Sequence, residues 1–344
     1  MKPGVSDALS ERGVHAASPP GHSAASRAAI ITDLTPLNHR APSPLNGLRT
    51  PVSAKNESDS AGERSEAVRT TSLTPPGHAS LEVQLVAGES AVTSSYATNP
   101  IKLLTPRARG QSVWAYTSSF GGGLVAGDQT SLNLRAGPGA RCFLGTQAST
   151  KIYRNPAAIP SGHETRATLE PGSLLVFAPD PVQAFAGSTY SQRQEFHLAS
   201  DASLVLLDWF TSGRVARGER WECSHLATRN EVFVNGRIMF LDALLLSPAD
   251  GDLGASHRLG RFNCIATLFQ FGPSVRHCTT QLLEQIKGEP TQRRGELVFS
   301  ASPLADGGVL RIGGVSVEAV GQMIRRFLDP LSELLGDDPW LRKW

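Results

Sequence analysis

From about Ser80 onward the chain alternates apolar and polar positions with the two-residue period of a half-buried β-strand. Leu81-Glu82-Val83-Gln84-Leu85-Val86, Arg141-Cys142-Phe143-Leu144 and Glu231-Val232-Phe233-Val234 all do so. That spacing sends alternate side chains to opposite faces of a sheet. Asn235-Gly236 then leads into Arg237-Ile238-Met239-Phe240-Leu241. Asn-Gly between two β-type runs is the strongest short hairpin signal, because both residues tolerate the left-handed backbone of a tight hairpin.

A weak internal repeat overlies the alternation. Leu134-Arg135-Ala136-Gly137-Pro138-Gly139-Ala140 runs into Arg141-Cys142-Phe143-Leu144. Leu169-Glu170-Pro171-Gly172-Ser173 runs into Leu174-Leu175-Val176-Phe177, and Leu198-Ala199-Ser200-Asp201-Ala202-Ser203 into Leu204-Val205-Leu206-Leu207. Each unit is a strand end, a tight polar turn and a buried strand. Such a unit can stack coil on coil around one shared core. An ordinary sandwich whose hairpins share a composition fits the periodicity equally well.

Helical spacing enters late. Val317, Val320, Ile324, Phe327, Leu328 and Leu331 predict a helix with Arg325 and Arg326 on its polar side, ended or kinked by Pro330. Further helices are predicted at residues 265–271 and 279–287. Residues 1–79 differ in kind: they are rich in Ser, Pro, Ala and Gly and hold no aromatic, the first being Tyr96. They read as a disordered tail that cannot bury enough apolar surface to offset its ordering entropy. Interspersed acids (Asp7, Glu11, Asp33, Glu57) argue against a transit peptide. Residues 80–344 read as one folded domain.

Composition narrows the classes. With 33 Lys and Arg against 31 Asp and Glu, the net charge is +2, so no strong field points to nucleic acid or an anionic membrane. Cys142, Cys223, Cys264 and Cys278 are widely spread with no C-x-x-C pair, which fits a reducing cytosol better than a disulfide framework. No apolar run approaches the length of a membrane span. A cytoplasmic, soluble protein is the expectation.

Four clusters concentrate unusual residues. The first is Gly121-Gly122-Gly123-Leu124-Val125-Ala126-Gly127-Asp128. A phosphate-binding loop would need lysine where Asp128 stands, and a dinucleotide fingerprint would have to open a helix, whereas Thr130-Ser131-Leu132-Asn133-Leu134-Arg135 alternates as a strand. The second is Thr146-Gln147-Ala148-Ser149-Thr150-Lys151-Ile152-Tyr153-Arg154. The third is Pro179-Asp180-Pro181 with Phe185-Ala186-Gly187-Ser188 and Tyr190-Ser191-Gln192. The fourth runs from Asp208-Trp209-Phe210-Thr211 through Gly213-Arg214, Arg217, Gly218-Glu219-Arg220 and Trp221. Asp128 reads most simply as a turn acid satisfying backbone N–H groups. Arg214, Arg217 and Arg220 read most simply as partners of Asp208 and Glu219. No G-x-S-x-G elbow, H-E-x-x-H run or clustered His/Cys ligand set is present, so a nucleophilic triad and a closed metal cage both lack support.

In this order the clusters resemble the UreD (also called UreH) family of urease accessory proteins. Asp242-Ala243-Leu244, Gly260-Arg261-Phe262-Asn263 and the terminal stretch from Asp338-Pro339-Trp340 look similar too. The likeness spans about Ser80 to Trp344; Ala184 and residues 254–259 depart from it. The resemblance implies an all-β-dominated fold, a β-helix-like stack of strands with a small C-terminal helical portion. It implies no enzymatic activity, no tightly bound cofactor, nickel in transit, and three partners: UreF, UreG through UreF, and the urease apoprotein. It further implies a polar internal passage for the metal, with Asp128, Asp180, Asp208 and Glu219 as candidate acids. The expected motif and wall residues are Gly121, Gly122, Gly123, Gly127, Gln147, Lys151, Tyr153, Arg154, Arg214, Arg217 and Arg220. Phe262, Phe269, Phe271, Ile324 and Phe327 are the expected apolar surface for a helical partner. Scattered oxygen donors suit an ion that must be released again. The competing class is a β-solenoid carbohydrate-active or carbohydrate-binding protein, which would show a row of exposed aromatics or paired carboxylates.

Overall fold

The recurring strand–turn–strand units stack in parallel, one coil upon the next. A computed structural model describes residues 76–107, 110–292 and 294–341, so the expected tail lies almost wholly outside the described residues. In chain order the strands are β1 (His78–Val86), β2 (Glu89–Ala97), β3 (Ile101–Leu104), β4 (Val113–Ser119), β5 (Gly123–Leu124) and β6 (Gln129–Ala136). There follow β7 (Arg141–Thr146), β8 (Thr150–Ile152), β9 (Ser161–Leu169), β10 (Leu174–Phe177), β11 (Val182–Ala184) and β12 (Thr189–Leu198). The last are β13 (Ser203–Thr211), β14 (His225–Val234), β15 (Arg237–Leu246), β16 (Cys264–Phe271), β17 (Leu297–Leu304) and β18 (Gly307–Gly314). Three α-helices join them: α1 (Arg276–Lys287), α2 (Val317–Leu328) and α3 (Leu331–Leu335).

Two sheets carry the stack. The first has the order β15-β14-β12-β9-β6-β1-β2, parallel from β1 to β14 and closed at both ends by antiparallel hairpins. The second runs β17-β18-β16-β13-β10-β7-β4-β3, with β4, β7, β10 and β13 parallel. The short strands β5, β8 and β11 add a third side that joins β13. Gln129 pairs with Gly162 and His163 with Gln192, offsets of 33 and 29 residues that set the length of a coil. The turns stack as well: Gly139 donates its N–H to Pro171 at 2.9 Å, and Ser203 to Ser173 at 2.8 Å. This settles the choice left open by periodicity in favour of stacked coils.

Apolar side chains divide into three layers. Leu81, Leu134, Leu144, Phe177, Phe196 and Phe269 fill the space between the sheets. Trp114, Phe143, Val176, Leu282, Ile324 and Phe327 pack the second sheet against the helices. Leu124, Ile152, Phe210 and Trp221 sit beneath the third side. The C-terminal stretch is pinned to this frame: the Tyr116 hydroxyl donates to the Pro339 carbonyl at 3.0 Å, and Trp340 meets Phe143 edge-on at 5.2 Å.

The hairpin at Asn235-Gly236 forms as expected, with both residues in the left-handed region. So do the helices at 276–287 and 317–328, the latter ending just before Pro330. Residues 265–271 are not a helix; they belong to β16, between β13 and β18. Both faces of that strand are buried: Phe269 and Phe271 face the inter-sheet layer, while Ala266 and Leu268 face the helices. A strand buried on both sides is apolar at nearly every position, and periodicity cannot separate it from a short helix. The four cysteines are buried and free. Burial pushes the thiols of Cys142 and Cys264 up to about 12 and that of Cys223 to about 11, so these are packing residues, not nucleophiles.

Candidate functional site

Apolar layers on either side bracket a polar zone between the two sheets. On the inner face of the first sheet, Thr130, His163, Gln192 and Thr228 stand side by side across four strands. The next inward rung is Leu132, Thr165, Gln194 and Asn230. One step further, Leu134, Ala167, Phe196 and Val232 restore an apolar rung, and Tyr190 with Leu226 closes the other side. The facing wall, on the second sheet, carries Thr117 beside Thr146, then Asp208 beside Thr267 and Arg311.

Two cavities lie along this seam. The first, about 140 Å³, is lined by Thr130, His163, Gln192, Gln194, Asp180 and Asp208 among others, and reaches exposed residues at Gly122, Ala148 and Lys151. The second, about 480 Å³, is lined by Asp208, Thr228, Asp242, Thr267 and Arg311. Asp208 is on the wall of both.

Asp208 is held without a cation. Its Oδ1 accepts from Gln192 Nε2 at 2.9 Å; its Oδ2 accepts from Thr228 Oγ1 at 2.9 Å and Asn230 Nδ2 at 2.7 Å. Burial raises its pKa to about 6 against the pull of those three donors, and the charge of Asp242 pushes the same way. Asp242 is itself paired with Arg311 at 2.8 Å. Burial holds His163 down to about 4, so its imidazole is neutral at physiological pH. The Thr130 hydroxyl lies 3.2 Å from the Gly162 carbonyl and 2.8 Å from His163 Nδ1. His163 Nε2 lies 3.0 Å from Thr165 Oγ1. The seam therefore sets one buried carboxylate, Asp208, where its two halves meet, with Asp180 and Lys151 on the wall of the first cavity and Asp242 and Arg311 on that of the second.

Of the residues expected on the wall, Gly122, Lys151, Asp180 and Asp208 line the first cavity. Asp180 is tied to Thr146, whose hydroxyl donates to Oδ2 at 3.1 Å and accepts from the Asp180 N–H at 2.7 Å. Asp128 and Glu219 line neither cavity. Asp128 closes its own turn, accepting from the Val125 N–H at 2.9 Å, which is the turn role read from the sequence. Glu219 pairs with Arg214, whose guanidinium holds its carboxyl below the usual range.

Most of the remaining motif residues brace the third side. Gly121 and Gly122 have left-handed backbones, and Gly123 lies so close to Lys151 that any side chain would collide with its carbonyl. The Tyr153 hydroxyl donates to the Gly121 carbonyl at 3.0 Å, Tyr153 meets Phe185 edge-on at 5.6 Å, and Arg214 lies over Phe185 at 4.5 Å. That string joins all four clusters. Arg154 flanks Gly187, Arg217 and Gln147 are exposed, and Gly127 turns the chain toward Ile159. Arg220 does not meet an acid: it donates to Asn263 Oδ1 at 2.6 Å and the Gly260 carbonyl at 2.8 Å, clasping the fourth cluster to the next motif. Nor, among the described residues, is an arginine paired with Asp208: Arg311, in the same rung of the second sheet, is bonded to Asp242 instead.

The expected partner surface is corrected too. Phe269, Phe271, Ile324 and Phe327 are buried in the chain's own core, and Phe262 is half-buried beneath Arg261. Their apolar spacing came from internal packing. Exposed apolar side chains gather instead on the edge strand β15, at Ile238, Met239, Leu241 and Leu245. The seam residues Gln194, Thr228 and Asn230 were missed. Their signal is faint: β12 and β14 are polar at both alternations through Gln192-Arg193-Gln194-Glu195 and Thr228-Arg229-Asn230-Glu231. A strand with no apolar phase mid-way has a polar interior to face.

A family model described as the UreD urease accessory protein matches residues 76–344. The chain belongs to the UreD family. A urease accessory protein UreD of Sorangium cellulosum is 47% identical over 269 residues, 78% of this chain and 84% of that relative. One of Anaeromyxobacter is 39% identical over 266 residues, covering 77% and 89%. Urease accessory protein D of Oryza sativa subsp. japonica is 32% identical over 288 residues, covering 76% and 93%. The UreD match takes in all four clusters and the whole seam. Among the described residues no helix is long and apolar enough to cross a membrane, and no three His, Cys, Asp or Glu side chains are grouped to hold a metal ion.

Proposed function

We propose that the chain is a non-catalytic accessory protein of urease maturation, working in the cytoplasm, through which nickel passes on its way to the urease apoprotein. UreF is the direct accessory partner, and UreG joins through UreF. The observation that carries this reading is the seam: two cavities that share Asp208 and set hydroxyl, amide and carboxylate oxygens among apolar side chains. Oxygen ligands hold a first-row divalent ion loosely enough to let it go, whereas a thiolate or imidazole cage would retain it. Nickel is cargo here. Family membership and the names of the relatives support the same role. The carbohydrate alternative is not carried forward, since the exposed aromatics among the described residues, Tyr96 and Phe120, form no row.

The test is complementation. A urease gene cluster deprived of its own UreD, co-expressed with this chain and supplied with nickel, should regain urease activity, and only with UreF and UreG present. A soluble, folded chain that gives no rescue overturns the proposal, as does urea hydrolysis by the purified chain alone.

A further inference from the structure

The cations of the chain differ in how they are paired. On the outer face of the first sheet Arg135, Arg166, Arg193 and Arg229 each bridge to a glutamate. On the third side the side chains of Lys151, Arg154 and Arg217 are exposed, and among the described residues none has an ion pair or a hydrogen bond. Lys102 lies over the Phe120 ring at 3.6 Å and meets no acid there. The acids of that side are mostly engaged: Glu219 by Arg214, Asp180 by Thr146, and Asp128 by its own turn. Glu222 is left exposed.

Register makes these groups neighbours. Gly123, Lys151 and Gln183 lie side by side on β5, β8 and β11, and Gln183 Nε2 donates to the Gly213 carbonyl at 3.1 Å. At the usual strand spacing that row is about 15 Å across. Around the cations stand Phe120, Val125, Ile159 and Val215, each about half exposed. The turn that presents Val215 and Arg217 is fixed. Arg214 pairs with Glu219 and lies over Phe185. Trp221, which closes the turn, has a φ of 54°, a left-handed backbone that a bulky side chain rarely adopts. Its N–H donates to the Ser212 carbonyl at 2.7 Å and its ring N–H to the Phe262 carbonyl at 2.8 Å. Strained backbone persists only where the surroundings over-determine it, and a surface held this way loses little freedom on binding.

Unpaired cations, half-exposed apolar side chains and a rigid frame together have the anatomy of a protein interface, in which arginine and apolar anchors are enriched. A second copy of the chain would set cation against cation, so the face suits an acidic partner. The first cavity narrows the choice, because its wall reaches this face at Gly122, Ala148 and Lys151. A cation entering there would be repelled by Lys151, whereas one leaving would be drawn to an acidic recipient. We propose that the third side docks an acidic surface of the urease apoprotein, with Lys151, Arg154 and Arg217 supplying the charge and Phe120 and Val215 the apolar anchors. The inference rests on the proposed function and adds to it which face meets the recipient.

Interferometry with the full chain immobilised and purified urease apoprotein in solution tests this, with melting temperature as the control. The wild type should bind, and more weakly as salt rises, because exposed charges are screened. Lys151→Glu combined with Arg217→Glu should weaken binding at least about tenfold, mainly through slower association, while melting as the wild type does. Val215→Asp should weaken it too, through faster dissociation. Arg193→Ala, on the paired outer face, should bind as the wild type does. If the double variant does not fold, Arg154→Glu decides the matter, with a loss in the same direction. No apoprotein binding by the wild type, binding unchanged in the folded variants, or a loss confined to UreF measured in the same way, overturns the docking surface. Complementation keeps the two proposals apart: urease rescue by a double variant whose apoprotein binding is undiminished removes the surface and leaves the function standing, whereas absent rescue by the wild type removes the function whatever the variants bind.

Discussion

The two faces of strands β12 and β14 solve opposite problems with adjacent residues. Outward, Arg193 bridges to Glu231 at 3.0 Å, Arg166 to Glu195 at 3.1 Å and Arg229 to Glu231 at 2.8 Å, a ladder of ion pairs running across three strands. Inward, one residue away in each case, stand Gln192, Gln194, Thr228 and Asn230, of which Gln192, Thr228 and Asn230 donate to Asp208. Water screens the outer charges, so pairing them is cheap and nearly neutral in energy. The interior screens far less, so a full charge there needs a reason. Cations are plentiful on the outside of these strands and absent from Asp208. The difference is that the outer charges are paired with one another, whereas Asp208 is held by three neutral donors.

Asp208→Asn breaks the comparison most strongly, by making the inner face neutral throughout. The amide oxygen can still accept from Gln192. Its NH₂ group can face the Thr228 hydroxyl and the Asn230 carbonyl once that amide turns over, so folding is preserved. Urease activation in the complementation assay should fall at least about tenfold, the scale of losing one well-placed ligand or its support. Melting temperature at neutral pH should not fall. Full activation by the variant would remove Asp208 from the function.

The same pair of proteins reports on pH. An acid whose folded pKa exceeds its unfolded value binds its proton more tightly when folded, so stability is lost as pH rises from the unfolded value to the folded one. For Asp208 that window opens near 4 and closes at about 6. Two pKa units correspond to about 3 kcal/mol. Urea denaturation should therefore show the wild type losing about 3 kcal/mol relative to Asp208→Asn between roughly pH 4 and pH 7. His163 works in the other direction, since its depressed pKa makes stability fall as pH drops from its unfolded value to about 4. It is present in both proteins and cancels from the difference. A gap between the two that does not change with pH would mean that Asp208 is not buried as a charge.

How much of this was legible in the sequence follows from where each residue looks. The coils were visible because turns such as Gly137-Pro138-Gly139 and Glu170-Pro171-Gly172 precede strands at a regular interval, and local chemistry fixes a turn. The motifs that identified the family were visible because glycines, prolines and arginines are uncommon in strands. In the structure those residues mostly lace the third side together, through Tyr153, Phe185, Arg214 and Arg220. Asp208 was singled out, but its partners were expected to be arginines, because proximity in sequence favours Arg214 while the sheet turns Asp208 toward Thr228 and Asn230. Gln194 and Asn230 carry no motif at all. Their importance lies in sharing a rung, and register between strands about thirty residues apart is not written in either strand alone.

The smallest effect expected is on the outer face. Arg193→Ala removes two contacts of the ladder, to Glu231 and to Glu195, but Arg229 remains paired with Glu231, and Arg166 with Glu195. Arg193 is more than half exposed, so its ion pairs are screened and the loss should be about 0.5 kcal/mol and no more than about 1 kcal/mol. Raising the salt concentration should shrink even that difference, since salt screens exposed pairs. Urease activation should match the wild type. The contrast with Asp208→Asn then becomes quantitative: one substitution on the outer face of the first sheet, moving stability slightly and function not at all, the other across from its inner face, moving function strongly and neutral-pH stability not at all. Should Arg193→Ala impair activation as much as Asp208→Asn while the fold stays intact, the outer ladder would be part of the working surface, and the division between a bracing exterior and a conducting interior would fail.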